Sequence, residues 1–161
     1  MKDVVIVDSV RSAVGRALKG SLVGVQIQFG GGDVTSLGPQ AIASLARARR
    51  LAPGNPRVLL LDGLNTLYRP KAFGGGADRA LAILEQARDA FAKESVADST
   101  APDWGRDDAH AWLGQAYAEL GRTDDARAAY ARALEINPDH GYVRHVLLPR
   151  LDAPKPDGAK P

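Results

Sequence analysis

Between Asp107 and His140 the chain sets Leu113, Gly114, Tyr117, Ala126, Tyr130, Ala133 and Pro138 at successive steps of one, three, nine, four, three and five residues. Steps of three and four keep side chains on one face of a helix. The nine-residue step holds Gly121, a turn residue, followed by Thr123-Asp124-Asp125. A hydroxyl cap and an acidic first turn suit the start of a second helix, and Pro138 suits its end. The four-three-five spacing returns at Ala41, Leu45, Ala48 and Pro53, and its first two steps return at Ala80, Leu84 and Ala87. A chain that repeats this pattern is confined to helical units that bury their apolar faces on one another.

In a 34-residue frame starting at Asp107, these residues resemble the tetratricopeptide repeat (TPR) family, matching seven of eight signature positions. The exception is His110, where the family has a large aromatic, with Trp112 two residues on. The resemblance implies antiparallel helix pairs in which Gly114, Ala126 and Ala133 let the backbones approach and Tyr117 and Tyr130 fill the space between them. Asn55-Pro56 caps and opens a further helix running through Val58, Leu61 and Leu64 toward Tyr68. An insertion of five residues around Pro70 to Gly76 delays its partner, and a loop over 92–106 precedes the full repeat. Gly141 to Leu148 reads as a capping helix with Val143, Val146 and Leu147 on one face. The expected architecture is all-α, a TPR-like helical-hairpin solenoid of about three units over residues 37–148. Its domain layout is a leader over 1–22, a helical domain over 23–148, and a Pro-rich disordered tail over 149–161.

The leader reads differently. The stretch Asp3-Val4-Val5-Ile6-Val7-Asp8-Ser9-Val10-Arg11-Ser12-Ala13-Val14-Gly15-Arg16, closing on Gly20-Ser21-Leu22, resembles the N-terminus of the thiolase (acetyl-CoA acyltransferase) family. In that family it begins the first strand of a larger α/β domain whose chemistry uses a cysteine nucleophile. The present chain has no cysteine, so thiolase acyl transfer is chemically excluded. As a strand, the leader would have no sheet to join. As a helix capped by Ser9, it would align Val10, Val14, Leu18 and Leu22 at four-residue spacing and could pack on a first repeat in which Val23-Gly24 and Ile27 echo the signature.

Composition narrows function by exclusion. Zero cysteines also remove disulfides and thiolate metal sites. The net charge of +2, with +4 in residues 1–56 and −2 in 57–161, does not favour nucleic acid. No apolar run suits a membrane span or secretory signal, and a cytoplasmic location is expected. His110, His140 and His145 lack the spacing of a metal helix, and no metal or cofactor is expected. The clusters Phe29-Gly30-Gly31-Gly32 and Phe73-Gly74-Gly75-Gly76 lack the Gly-Lys-Ser/Thr of a phosphate loop and read as flexible connections, with Phe73 placed to anchor its loop in the core. Asp107, Asp108, Asp124 and Asp125 fall at helix starts, where dipole compensation accounts for them.

What remains is a surface. The TPR resemblance implies a concave groove lined by Arg57, Leu60, Leu64 and Tyr68 of one repeat, Asp108, Gln115 and Glu119 of the next, and Tyr142 and His145 of the capping helix. The expected function is therefore a non-catalytic module binding a peptide or partner protein in that groove, without nucleic acid or membrane. A self-associating structural protein forming a homo-oligomer is the second reading, and a thiolase-related fragment lacking the catalytic cysteine the third.

Overall fold

The computed structural model describes residues 13–28, 34–94 and 103–153, and these fall into two compact units divided at Pro102. The first unit contains α1 (Ala13–Gln28), α2 (Val34–Leu51), α3 (Pro56–Tyr68) and α4 (Ala77–Lys93), with a single 3-10 turn at Lys71–Phe73. The second contains α5 (Arg106–Glu119), α6 (Thr123–Ile136), a π-helical turn at Val143–Leu147 and α7 (Leu148–Asp152). Among the described residues there is no strand. The fold is all-α and TPR-like: α1 pairs with α2, α3 with α4, and α5 with α6.

One packing rule builds all three hairpins. In each, a glycine on the first helix faces a large side chain on the second, and that side chain is flanked by alanines four before and three after. Gly114 meets Tyr130 between Ala126 and Ala133, Gly63 meets Leu84 between Ala80 and Ala87, and Gly20 meets Leu45 between Ala41 and Ala48. The approach is close enough that a Cβ on these glycines would stand 2.5, 2.6 and 2.9 Å from the facing side chain. All three facing residues and their flanking alanines are buried. Backbone proximity therefore depends on the missing Cβ, and the large partner fills the interface that closeness creates.

This rule corrects the reading of the N-terminal region. The helix there has the buried face Ala17 and Gly20, with Ala13 and Val14 partly buried, whereas Leu18 is 41% exposed. Small residues win the interface because a leucine stripe would hold α1 too far from Leu45. Gly20 thus takes the place expected of Gly24, and α1 runs without a break across the expected boundary between residues 22 and 23. Val10 lies outside the described residues, as do residues 1–12 generally and the Gly30–Gly32 cluster. Ser21 ties the hairpin to α3, its Oγ accepting from Asn65 Nδ2 at 2.7 Å. Ala17, Leu45 and Ala48 share a core with Val58 and Leu61 of α3.

Capping follows expectation at α3, where Asn55 Oδ1 accepts from the N–H groups of Arg57 and Val58 at 3.0 and 3.2 Å and Pro56 opens the helix. It differs at α6. Thr123 is already helical and gives no side-chain cap; Arg122 instead bridges to Asp125 at 2.7 Å, while its N–H bonds Tyr117 O across the turn.

The connection between α3 and α4 is also unlike its expected form. Phe73 is 67% exposed and anchors nothing in the core. The turn is fixed by its backbone: Phe73 and Gly75 N–H groups donate to Pro70 O, Gly74 to Lys71 O, and Gly76 to Thr66 O. Gly75 lies so close to Arg69 that a Cβ there would clash with its carbonyl. With the hydrogen bonds made locally, the aromatic ring is left outside.

At the C-terminal end the helix continues past Leu148 to Asp152, whose carboxylate pairs with Arg127 at 2.7 Å. Val143 and Leu147 are buried against α6 and Val146 partly so. The expected disordered tail thus starts as helix, and residues 154–161 lie outside the described residues.

Candidate binding face

The structure sorts the nine expected groove residues by access. Arg57 and Leu60 are each 3% exposed and belong to the interior of the first unit. Arg57 pairs with Glu94 at 2.5 Å and its guanidinium lies 5.4 Å from the Phe91 ring centre. Burial demands that pairing, because an isolated guanidinium inside the protein would lose its hydration without return. Leu64 is half-buried and Tyr68 is exposed. In the second unit Asp108 and Gln115 are half-buried, and Glu119, Tyr142 and His145 are exposed.

The second unit assembles a coherent face. Asp108, Gln115 and Glu119 lie at helical spacing along α5, and Trp112 falls in the same stripe. Trp112 packs on Tyr142 with ring centroids 5.7 Å apart and planes tilted by 40°. Gln115 Nε2 donates to Glu119 Oε1 at 3.2 Å. The repeat spacing does not point to Trp112, which stands two residues after His110 and outside the groove positions of the repeat frame.

The acidic start of α5 does more than offset a dipole. Asp107 Oδ2 accepts from Asn137 Nδ2 at 2.6 Å, and Asp108 Oδ1 sits 3.4 Å from His140 Nε2. His140 Nδ1 accepts from the Val143 N–H at 3.4 Å, so the ring links α5 to the start of the C-terminal helix. Burial pushes the Asp108 carboxyl above the ordinary aspartate range, the Asp107 charge adds to that, and His140 partly offsets it.

Elsewhere, an open hollow of about 620 Å³ lies between the start of α3 and the end of α4, lined by Pro53, Pro56, Leu59, Asp89, Ala90 and Glu94 among others. Its carboxylates are engaged, Asp89 by Arg88 and Glu94 by Arg57. Among the described residues no group of three or more His, Asp or Glu side chains converges to hold a metal, and no helix is long and apolar enough to cross a membrane.

Comparison with known proteins picks out the hairpin that carries this face. Residues 107–140 match the tetratricopeptide repeat. The chain is also similar to a solved structure, the HusA haemophore from Porphyromonas gingivalis, at 31% identity with a TM-score of 0.58. That alignment covers 66% of this chain and 52% of the haemophore, so the chain spans about half the length of that protein. No curated protein matches the chain. The thiolase likeness of residues 2–22 finds no support in these comparisons, and its described portion from Ala13 onward is helix in the first hairpin.

Proposed function

We propose that this chain is a non-catalytic protein-interaction module that binds an extended peptide segment of a partner. The face of α5 and the C-terminal helix, with Asp108, Trp112, Gln115, Glu119, Tyr142 and His145, is its contact surface. The observation that carries this reading is the exposed Tyr142, 38% accessible and packed on Trp112 of the hairpin that matches a tetratricopeptide repeat. Aromatic side chains held in place lose little entropy on binding and are favoured anchors at interfaces. The test overlays the purified chain on an array of 15-residue peptides and measures affinities of the bound sequences in solution. Tyr142→Ala and Glu119→Ala should each weaken them; hits that keep full affinity with both variants refute the reading.

The similarity to a haemophore favours a second reading, carriage of haem as cargo. On the same face, His145 is an exposed imidazole three residues from Tyr142 and has the chemistry of an iron ligand. Titration with hemin, followed by Soret absorbance, tests it. Saturation at one equivalent, lost in His145→Ala, supports carriage, and an unsaturable or unchanged titration rejects it.

A further inference from the structure

The stripe on α5 has a polarity as well as a shape. Asp108, Trp112, Gln115 and Glu119 follow one another at four, three and four residues, which puts two carboxylates at the ends of one helix face with the indole between them. Their backbone separation is about 16 Å at ~1.5 Å per residue. That matches about five residues of extended peptide at ~3.3 Å each. Tyr142 doubles the aromatic surface at the centre.

Four of the arginines around this face are engaged elsewhere. Residues 103–153 hold nine acidic side chains against six arginines. Arg122 pairs with Asp125 and lies 4.4 Å from the Tyr117 ring centre, Arg127 pairs with Asp152, Arg132 with Glu135, and Arg144 donates to Pro138 O. Glu119 accepts a hydrogen bond from the neutral amide of Gln115, and Asp108, with its side chain 43% exposed, faces the His140 imidazole. Aromatic faces carry negative charge density and attract cations, and Trp is the strongest of them. Negative charge at both ends and aromatic surface in the middle select against an acidic ligand and for a basic one.

We propose that this face binds a basic peptide segment, with one arginine or lysine side chain laid on the Trp112–Tyr142 pair and flanking cations set against Asp108 and Glu119. The proposal rests on the peptide-binding reading above and names the chemistry of its ligand.

The probes are three fluorescein-labelled seven-residue peptides, with termini otherwise blocked: alternating arginine and glycine, alternating glutamate and glycine, and glycine with serine. Binding to the full chain is read by anisotropy. Trp104→Phe leaves Trp112 as the sole indole, so its emission reports whether the ligand reaches the face. The arginine peptide should bind saturably, at least about tenfold tighter than either other peptide, and change Trp112 emission. Trp112→Ala should weaken it about fivefold, Trp112→Phe less, and Asp108→Asn with Glu119→Gln about five- to tenfold. A matched control, Asp124→Asn with Glu135→Gln, removes two carboxylates at the same spacing on α6 and should change affinity less than twofold.

Equal loss in the control pair overturns the proposal, since the attraction would then be the unit's diffuse charge. Preference for the glutamate or neutral peptide, with Trp112→Ala still weakening it, overturns the basic-ligand inference while leaving the peptide-binding reading standing. Sedimentation that shows a dimer dissociated by the Asp108/Glu119 pair overturns it in favour of a second copy of this chain. Should Trp112→Ala fail to fold, an arginine-peptide affinity in Trp112→Phe equal to wild type, together with no effect of the carboxylate pair, overturns it equally.

Discussion

Adding one methyl group to Gly114 tests the packing rule on which all three hairpins rest. An alanine Cβ there would stand 2.5 Å from Tyr130 Cε1, 2.6 Å from Cδ1 and 3.1 Å from Ala126 O. The ring would have to retreat about 1 Å to reach ordinary carbon contact near ~3.5 Å. Tyr130 is 1% exposed, so it has no open side to move into. Overpacking of this kind costs about 1–3 kcal/mol, against which alanine gains about 1 kcal/mol over glycine inside a helix. The expected net effect of Gly114→Ala is a loss of up to about 2 kcal/mol. Gly141, at the helical start before Val143, would meet only His145 Cδ2 at 3.9 Å with the same added atom, an ordinary contact, so Gly141→Ala should keep the propensity gain and stabilise by up to about 1 kcal/mol. Both tryptophans lie in the second unit, so fluorescence in urea follows unfolding of the unit that holds Gly114, and circular dichroism follows the whole chain. Tyr130→Leu opens the contact, and in that background Gly114→Ala should lose most of its cost, a coupling of about 1 kcal/mol or more. If Gly114→Ala stabilises the chain as Gly141→Ala does, the close helix approach is not what holds the hairpin.

Other perturbations separate residues that resemble one another in sequence. Arg57→Ala should destabilise the first unit by about 2–3 kcal/mol, because it strips the buried end of the pair with Glu94 and the Phe91 contact, whereas Glu94→Gln, at the partly exposed end, should cost about 1 kcal/mol in thermal or urea unfolding. In the α3–α4 turn, Gly75→Ala should cost more than about 2 kcal/mol while Phe73→Ser leaves the midpoint within about 0.5 kcal/mol, the reverse of what an anchored phenylalanine requires. Burial raises the carboxyl pKa of both Asp62 and Asp108, so each binds a proton more readily folded than unfolded. Their contribution to stability therefore falls as pH rises from the ordinary aspartate range near ~4 through their raised folded values. Asp62→Asn with Asp108→Asn should flatten that part of the Tm-against-pH curve, and an unchanged slope refutes the assignment.

Helix positions were legible wherever a strong local signal marked an end. Asn55-Pro56 opened α3 as expected, and Ala80, Leu84 and Ala87 proved to be the buried edge of α4. The signal failed where tertiary packing chose among equally plausible local patterns. Val14 and Leu18 offered a larger apolar stripe than Ala17 and Gly20, yet the smaller pair is buried because Leu45 already supplies the bulk. Thr123 had the chemistry of a cap and lost the place to Arg122, whose pairing with Asp125 and stacking on Tyr117 hold the turn another way. The candidate face was half legible. Repeat spacing pointed to Asp108, Gln115, Glu119, Tyr142 and His145, but burial of Arg57 and Leu60 depends on residues far away in sequence, Glu94 and Phe91 among them, and no local pattern announces it.

The two halves of the packing rule lie at a different distance in sequence in each hairpin. Sixteen residues separate Gly114 from Tyr130, twenty-one separate Gly63 from Leu84, and twenty-five separate Gly20 from Leu45. The match falls on the shortest. In the first hairpin most of the extra residues lengthen the helices, Gly20 standing eight residues before the end of α1 and Leu45 eleven after the start of α2, against five and seven in the third; in the second they sit in the connection, where loop closure grows costly only slowly with length, at about 0.6 kcal/mol per doubling. For the second hairpin they form the hydrogen-bonded turn at Pro70–Gly76, the five-residue insertion the spacing predicted. The interface itself does not change: a glycine, a large side chain and two alanines meet in the same relation each time. Packing can thus hold the contact constant while helix and turn lengths differ, and a frame of fixed length does not bring all three contacts into one register. Swapping the Pro70–Gly76 connection for the Gly121-Arg122 turn should therefore leave the Gly63–Leu84 contact intact. The measurement is the coupling between Gly63→Ala and Leu84→Ala, which should stay above about 1 kcal/mol in the shortened chain; its disappearance would show that the long turn, and not the glycine, sets the distance between α3 and α4.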